Sequence, residues 1–459
     1  MEELINAGLD VARFNMSHGD HSEHERRLQE TRAAAAAVGK TIGLLADLQG
    51  PKIRLGNFAD GKVNLIHGQR FTITVDDILG DAERASTTFK GLPGDVRPGD
   101  TILIDDGRIA LEAVQVTDTE VVTKVVVAGP VSNHKGINLP GVAVNVPAMS
   151  EKDEQDLRWA IRNDFDMVAL SFVRSAADVT RVHEIMDEEG RRLPVIAKIE
   201  KPQAVDNLDE IIDAFDGFMV ARGDLGVELP LEDVPLVQKR IVSKARRWAK
   251  PVIVATQMLE SMISAPRPTR AEASDVANAI LDGADAVMLS GETSVGAYPV
   301  ETVQTMSRIV EKTERRGIAQ ISKIEWDPHT TGGVVAMAAA MAADQLGAKY
   351  MVAFTTSGDT ARRLSRLRSK IPLVVFTPEN HTARWLTLCW GAQVMLTPEF
   401  DNQEQMVTEV NRILQEQGLI KIDERVVIVS GSPMGLVGKT NNLRVHRIRP
   451  LDWNGHKEA

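Results

Sequence analysis

Seven short apolar segments, separated by charged stretches of helical character, constrain the fold of this chain more than any other feature. Segments of this length that are apolar on both faces are typical of buried parallel strands, and their alternation with helices predicts repeated βαβ units. This number of units favours a barrel of the TIM type over an open sheet. The predicted strands are Val11–Met16, Thr41–Ala46, Met167–Phe172, Pro194–Ile199, Gly217–Arg222, Pro251–Thr256 and Ala286–Ser290.

Two further regions follow different patterns. Residues 57–145 lack a helical period and contain short alternating strands between Gly and Pro turns, so we expect an inserted all-β domain. A second α/β series follows and predicts a C-terminal domain at 321–459. The barrel domain then comprises residues 1–56 and 146–320, with seven strands where a complete barrel has eight.

Composition limits the classes of function. The net charge of −11 argues against nucleic-acid and anionic-membrane partners, and no apolar segment is long enough to span a bilayer. The single cysteine, Cys389, excludes an intrachain disulfide framework and favours a cytoplasmic location. The acidic N-terminus lacks a signal-peptide pattern.

Polar side chains stand at the ends of the predicted strands, where the active sites of such barrels lie. Glu200 and Asp224 supply two carboxylates, the usual protein contribution to a Mg²⁺ site that also uses substrate oxygens. Arg13 and Lys198 supply positive charge that would stabilise a phosphoryl group in transfer. Gly223 would allow a small anion to approach the backbone. A structural ion network remains the alternative interpretation of these charges.

A second metal hypothesis concerns three histidines, His18, His21 and His24, which recur every third residue. No cysteine or nearby acid completes a zinc ligand set. A solvated helix start is the preferred interpretation.

Six motifs in order resemble the pyruvate kinase family over nearly the whole chain. They are Arg13-Phe14-Asn15-Met16-Ser17-His18-Gly19, Ala46-Asp47-Leu48-Gln49-Gly50-Pro51-Lys52-Ile53-Arg54, Ala197-Lys198-Ile199-Glu200-Lys201, Val220-Ala221-Arg222-Gly223-Asp224-Leu225-Gly226, Ala255-Thr256-Gln257-Met258-Leu259-Glu260-Ser261-Met262 and Met288-Leu289-Ser290-Gly291-Glu292-Thr293. The family begins with a strand and helix that precede the first of these motifs. We therefore expect a barrel that lacks the family's first strand.

The resemblance implies a reaction in which phosphoenolpyruvate and ADP give pyruvate and ATP. It implies that Arg13 and Lys198 act on the phosphoryl group, and that Glu200 and Asp224 hold Mg²⁺ or Mn²⁺. The backbone of Gly223 and Asp224 and the hydroxyl of Thr256 would bind the substrate carboxylate, with Thr256 also near the site of enolate protonation. The nucleotide would contact Arg54 and Lys135, under a β domain that closes as a lid. A homotetramer is the usual assembly of the family.

The monovalent-cation site departs from the K⁺-dependent pattern. Asn15, Ser17 and Asp47 are present, but Leu48, Gln49, Lys52 and Leu55 occupy positions where K⁺-dependent members carry Thr, Lys, Glu and Thr. Exchanging one Lys and one Glu for Gln and Lys changes the local charge by +1, the charge of the ion. The pattern resembles the K⁺-independent branch, and we expect the Lys52 ammonium to replace K⁺.

A loop in the C-terminal domain resembles the family's effector loop for sugar phosphates or AMP. Its candidate residues are Thr355, Thr356, Ser357, Gly358 and Thr360, placed before a predicted helix at Ala361–Lys370. The negative charge of Asp359 would oppose phosphate binding here. An ordinary turn that caps the helix is the alternative interpretation of this loop.

Two other functions remain open from the sequence. One is a catalytically impaired, ligand-sensing paralogue, which the complete set of charged residues argues against. The other is a carbon–carbon lyase of a phosphoenolpyruvate/pyruvate type, which would not explain the β insertion or Lys135.

Overall fold

The computed structural model describes residues 1–142, 144–324, 330–400, 402–433 and 438–451. The chain begins with α1 (Glu2–Ala7), β1 (Val11–Asn15), α2 (His21–Val38) and β2 (Gly43–Asp47). A β-rich insertion follows, with β3 (Lys62–Leu65), β4 (Arg70–Thr74), β5 (Arg84–Ser86), α3 (Leu92–Asp95), β6 (Thr101–Ile104), β7 (Ile109–Val116), β8 (Glu120–Val127), β9 (Gly129–Ser132) and β10 (Ile137–Asn138).

The chain then returns to alternating helices and strands. These are α4 (Glu151–Arg162), β11 (Met167–Leu170), α5 (Val179–Glu188), β12 (Val195–Ile199), α6 (Pro202–Asp206), α7 (Leu208–Ala214), β13 (Gly217–Ala221), α8 (Arg222–Glu228), α9 (Val234–Arg247), β14 (Val252–Ala255), α10 (Arg270–Asp282), β15 (Ala286–Val287), α11 (Gly291–Ser294) and α12 (Pro299–Gly317). The last part contains α13 (Thr331–Gln345), β16 (Tyr350–Phe354), α14 (Asp359–Ser365), β17 (Leu373–Thr377), α15 (Asn380–Leu386), β18 (Ala392–Leu396), α16 (Gln403–Glu416), β19 (Arg425–Gly431) and β20 (Thr440–Arg447).

Seven parallel strands form the barrel sheet, in the order β1-β2-β11-β12-β13-β14-β15. Each matches one of the seven predicted strands. Helix starts follow the sequence signals too: Asp20 accepts a hydrogen bond from the Glu23 N–H, and Ser150 and Asp153 form a reciprocal capping box. Among the described residues, β1 and β15 are the two edges of this sheet.

The five inner strands are almost entirely buried on both faces, as the apolar segments predicted, whereas the edge strands β1 and β15 are partly exposed. Their outward residues pack against the surrounding helices in one large cluster. Their inward residues form a second cluster that includes Leu45, Ile196 and Ile253. Two side chains of the C-terminal part, Trp385 and Leu388, complete this inner cluster. The barrel interior is therefore closed at its amino-terminal end by residues from outside the barrel.

The inserted domain has its own apolar core and two sheets. The larger has six strands in the order β10-β6-β7-β8-β4-β5, and the smaller pairs β3 with β9. The prediction that this segment lacks helix was wrong at one turn, Leu92–Asp95. Pro93 favours a helical start there, and burial of Leu92 holds the turn against the core.

The C-terminal sheet has the order β18-β17-β16-β19-β20, with only β20 antiparallel. The predicted helix Ala361–Lys370 was wrong in its bounds, since α14 ends at Ser365. Arg368 takes a left-handed backbone conformation with φ of 50° and donates to the Gly283 carbonyl of the barrel at 2.6 Å. A contact between distant segments thus ends a helix that local sequence would continue. No described helix combines the length and apolar character needed to cross a bilayer.

Closure of the barrel interior by Leu388 can be tested by truncating this side chain. Leu388 is 2% exposed, so Leu388→Ala should lower the free energy of unfolding by about 2–5 kcal/mol. Leu396→Ala is the matched control because Leu396 is 50% exposed, and it should change stability by about 0.5 kcal/mol or less. Chemical denaturation measures both. Equal losses in the two variants would contradict the closing role.

Candidate active site at the carboxyl ends of the barrel strands

The interior of the barrel changes from apolar to charged along each strand. Because side chains two residues apart face the same side, Lys198 stands above Ile196 on β12, and Asp47 stands above Leu45 on β2. Ile196 and Leu45 belong to the inner apolar cluster, whereas Lys198 and Asp47 form an ion pair. The strand ends therefore bring the predicted charged residues to one end of the barrel.

Lys198 is the centre of this charged layer. Its Nζ lies 2.9 Å from Glu200 Oε1 and 3.3 Å from Asp47 Oδ1, and it donates to Ser171 Oγ at 2.8 Å. Ser171 in turn donates to the Leu48 carbonyl at 2.7 Å. This arrangement fixes the ammonium between two carboxylates and a hydroxyl.

Arg13 supplies the second cation. Its Nε lies 2.6 Å from Asp47 Oδ2, and its Nη1 is 3.5 Å from Ser290 Oγ. Asp47 thus contacts both cations that the sequence assigned to the phosphoryl group. Its role as their shared counter-ion was not predicted, because the sequence analysis placed it only in the monovalent-cation site.

Burial and charge oppose each other in this layer. Burial alone would raise the pKa of Asp47, but Lys198 and Arg13 together hold it below the ordinary value. Burial would lower the pKa of Lys198, but Asp47 and Glu200 raise it well above the usual range. Both groups are therefore charged at neutral pH.

Glu200 differs from Asp47 in the direction of its shift. Burial raises the pKa of Glu200; Lys198 opposes this increase, and the negative charge of Asp224 adds to it. Glu200 Oε2 accepts the Phe172 N–H at 2.8 Å, while Oε1 is buried with only the Lys198 ion pair beside it. A buried carboxylate oxygen paired with one ammonium, with the negative charge of Asp224 nearby, fits a divalent cation that would neutralise both carboxylates. Two acidic residues are the contribution that Mg²⁺ usually takes from a protein.

Thr256 has a strained backbone. Its φ is 69°, a left-handed value that β-branched residues rarely adopt and that is enriched at active sites. Arg222 holds the segment in place by donating to the Thr256 carbonyl at 2.7 Å and to Asp275 at 2.7 Å. The Gly223 N–H donates to Thr256 Oγ1 at 2.7 Å, so the predicted substrate-carboxylate residues are neighbours.

The two predicted nucleotide residues lie together where the chain enters and leaves the inserted domain. Arg54 pairs with Gly136 in an isolated bridge, and its guanidinium donates to the His134 carbonyl at 3.1 Å. Lys135 Nζ lies 2.7 Å from Asp105 Oδ1. Both side chains currently contact the inserted domain itself.

Three of the four monovalent-cation residues are neighbours, because Asn15 lies opposite Asp47 in the pairing of β1 with β2 and contacts Ser17. Asn15 Oδ1 accepts the Ser17 N–H at 3.1 Å, and Leu48 is buried in the outer cluster. Lys52 extends over Gly136, where an added Cβ would lie 2.9 Å from its Cε. In the part of the chain described, no hydrogen bond or ion pair joins Lys52 to Asn15, Ser17 or Asp47.

The effector-loop candidates form a compact turn. Thr355 Oγ1 accepts the Gly358 N–H at 2.9 Å, and the Thr356 carbonyl accepts from Thr382. Thr360 is buried, and its hydroxyl lies 2.6 Å from that of Thr440. Asp359 pairs with Arg363 at 2.6 Å, which offsets the negative charge noted in the sequence.

The histidines considered for zinc have other contacts. His21 Nε2 lies 2.7 Å from Asp156 and its ring stacks on Trp159, while His24 Nε2 contacts the His18 carbonyl at 2.9 Å. The helix start at His21 is confirmed, but the prediction that it is solvated was wrong for His24, which is buried beside Phe14 and Trp159.

Two residues gain a role that the sequence analysis did not assign, namely Ser171 as a contact of Lys198 and Arg222 as an anchor of Thr256. Both stand at strand ends, and Arg222 also lies within one of the six motifs.

Comparison with known proteins agrees with this geometry. The family model described as pyruvate kinase, barrel domain, matches residues 1–303, and that described as pyruvate kinase, alpha/beta domain, matches residues 334–446. The pyruvate kinase of Corynebacterium efficiens is 56% identical over 97% of this chain and 94% of its own length. The pyruvate kinase of Mycobacterium tuberculosis is 54% identical over 97% of this chain and 94% of its own length.

A solved structure extends the comparison to the fold. A pyruvate kinase from Cryptosporidium parvum superposes with a TM-score of 0.91 at 35% identity, covering 98% of this chain and 92% of the other. Together with the ordered motifs and the charged layer around Lys198, these matches show that the chain belongs to the pyruvate kinase family.

Proposed function

We propose that this chain transfers the phosphoryl group of phosphoenolpyruvate to ADP, giving pyruvate and ATP. The observation that carries the proposal is the Lys198 ammonium, held 2.9 Å from Glu200 and 3.3 Å from Asp47 with Arg13 on the other side of Asp47. This layer combines two fixed cations with a buried carboxylate suited to a metal. Phosphoryl transfer depends mainly on such positioned charge.

In the proposed reaction the bond between phosphorus and the enolate oxygen breaks, and a bond to the terminal phosphate oxygen of ADP forms. Lys198 and Arg13 stabilise negative charge on the transferring group and on the enolate oxygen. The enolate carbon then takes a proton on the side of Thr256, whose fixed backbone places its hydroxyl beside Gly223. The backbone of Gly223 and Asp224 and the hydroxyl of Thr256 hold the substrate carboxylate.

Glu200 and Asp224 are the residues that would hold Mg²⁺ or Mn²⁺. When bound, the ion would neutralise phosphoryl oxygens and the two carboxylates. Arg54 and Lys135 would turn from their contacts within the inserted domain to the nucleotide as this domain closes over the site. Closure would exclude water, which would otherwise accept the phosphoryl group.

Further proposals extend to organisation of the whole protein. We assign the barrel to residues 1–56 and 146–320, the lid to 57–145 and the C-terminal regulatory and assembly domain to 321–459, part of which lies outside the described residues. We propose a cytoplasmic homotetramer. The turn of Thr355, Thr356, Ser357, Gly358 and Thr360 is proposed as an effector loop for a phosphorylated ligand, which would have to displace the Thr360 contact with Thr440.

An assay with and without ADP separates the candidate reactions. Pyruvate formation that requires ADP supports the kinase, whereas cleavage without ADP would support a carbon–carbon lyase. Absence of both activities would support a ligand-sensing paralogue.

Removing the central cation should abolish most of this activity. Lys198→Met should lower kcat by about a hundredfold or more, because positive charge at developing negative charge is lost. Lys62→Met, at an exposed position of β3, is the matched control and should retain full activity. Circular dichroism verifies folding of both variants. Near-normal turnover of a folded Lys198→Met enzyme would refute the assigned role.

The raised pKa of Glu200 makes metal binding sensitive to acid. Its carboxylate is protonated at a higher pH than the ordinary 4.5, and the protonated form cannot bind a cation. Mn²⁺ affinity should therefore fall as pH is lowered, beginning above pH 4.5. Titrations followed by electron paramagnetic resonance of free Mn²⁺ measure this fall.

Asp224→Asn should move the pH dependence of Mn²⁺ binding to lower values, because the negative charge of Asp224 is one cause of the raised pKa of Glu200. It should also weaken binding at neutral pH by removing a ligand. Asp233→Asn, at an exposed position, is the control for both effects. A pH midpoint unchanged by Asp224→Asn would disprove the coupling between these carboxylates.

The enzyme should not require K⁺. We propose that the Lys52 ammonium supplies the missing positive charge, which requires its stem to leave Gly136 and turn into the site when the lid closes. Activity in tetramethylammonium buffer should be the same with and without KCl. Lys52→Glu should lose activity and regain part of it with KCl, whereas Lys62→Glu should behave like the unmodified enzyme. Many-fold activation of the unmodified enzyme by KCl would show that Lys52 does not replace the ion.

A further inference from the structure

Glu228 is a buried acid that the proposed reaction does not use. Its side chain is 2% exposed, and its Oε1 accepts a hydrogen bond from Asn138 Nδ2 at 3.0 Å. The same oxygen lies 2.5 Å from Lys201 Nζ. A buried carboxylate costs several kcal/mol unless it is paired and hydrogen-bonded, and here one oxygen has both kinds of partner.

The two partners of Glu228 come from separate parts of the molecule. Asn138 belongs to β10 of the inserted domain, whereas Lys201 follows Glu200 directly in the chain. Glu228 itself is the last residue of α8, and Asp224 lies in the first turn of the same helix. One carboxylate oxygen thus joins the lid to the two segments that carry the candidate metal ligands.

A second contact supports the same connection. Gly107, in a turn of the inserted domain, lies against Val227, so that a Cβ added there would be 3.9 Å from the valine Cγ1. The carboxyl-terminal end of α8 therefore contacts the lid at two neighbouring residues. Since α8 is a short helix with internal hydrogen bonds, a displacement at Glu228 is passed to Asp224 within two turns.

We propose that Glu228 is a positioning residue that couples the placement of the lid to the placement of Glu200 and Asp224. The inference rests on the proposed metal-dependent phosphoryl transfer at this site. Because coupling is reciprocal, a cation bound at Glu200 and Asp224 stabilises the contact between Asn138 and Glu228, and loss of that contact releases the lid from the metal site. The lid then no longer responds to the cation.

Asn138→Ala cuts the connection on the lid side and leaves the ion pair of Glu228 with Lys201 in place. In the unmodified enzyme, saturating Mn²⁺ should slow backbone hydrogen exchange at residues 137–142. In Asn138→Ala this response should disappear, and because coupling is reciprocal the Mn²⁺ dissociation constant should rise by no more than the factor by which Mn²⁺ slows exchange in the unmodified enzyme. Loss of one hydrogen bond to a charged group should lower kcat by about tenfold. The KM for phosphoenolpyruvate should change little, since its ligands are unaltered.

Asn64→Ala is the matched control, because Asn64 is an exposed residue of the lid strand β3. It should keep both the exchange response and kcat. Glu228→Gln removes the charge beside Lys201 and should weaken Mn²⁺ binding several-fold; if this variant does not fold, Asn138→Ala still decides the question.

An Asn138→Ala enzyme with normal kcat and a normal exchange response to Mn²⁺ would overturn the proposal, as would equal losses in Asn64→Ala. Failure of the proposed function would look different, because the unmodified protein would then form no pyruvate from phosphoenolpyruvate and ADP.

Discussion

The ammonium of Lys198 between Asp47 and Glu200 is the interaction on which the rest of the site depends. The two carboxylates are 1% exposed and the Lys198 side chain is 12% exposed, so each alone would carry a large desolvation cost. They are tolerable together because the ends of β2 and β12 bring them into contact, with Ser171, which directly follows β11, bonded to Lys198. The net charge of the layer is then set by Arg13 on one side and by Asp224 on the other. Substrate and metal would therefore enter a site whose charged side chains the barrel already holds in position.

Much of this could be predicted from local sequence. The seven strands, the capping residues Asp20 and Ser150, and the charged strand ends all follow from apolar spacing and residue type, and the family assignment follows from motif order. Features that depend on distant segments could not be predicted. Asp47 was not recognised as the counter-ion of Arg13 because 34 residues separate them, and the end of α14 is set by an arginine bonded to the barrel. The position of the Lys52 stem over Gly136 likewise depends on how the lid sits.

The inserted domain, which we propose as a lid, is bound to the barrel at several points. Its exit segment is bound to the barrel by Asn138, and Arg174 donates to the Val144 and Val146 carbonyls at 2.7 Å each. A domain held at such points can rotate about them without separating from the site. Arg54 and Lys135, which we propose as nucleotide ligands, lie on the entry and exit segments of this domain, so a modest rotation would move both together.

The closure of the barrel interior by Trp385 and Leu388 has a consequence for modularity. A regulatory domain attached only by a linker can be gained, lost or exchanged during evolution with little effect on the catalytic domain. Here the C-terminal domain supplies part of the catalytic domain's own hydrophobic core. Its removal would open the barrel interior to water beneath the charged layer, where a low dielectric strengthens every ion pair. The two domains therefore share part of one hydrophobic core, and this shared core constrains them to evolve together.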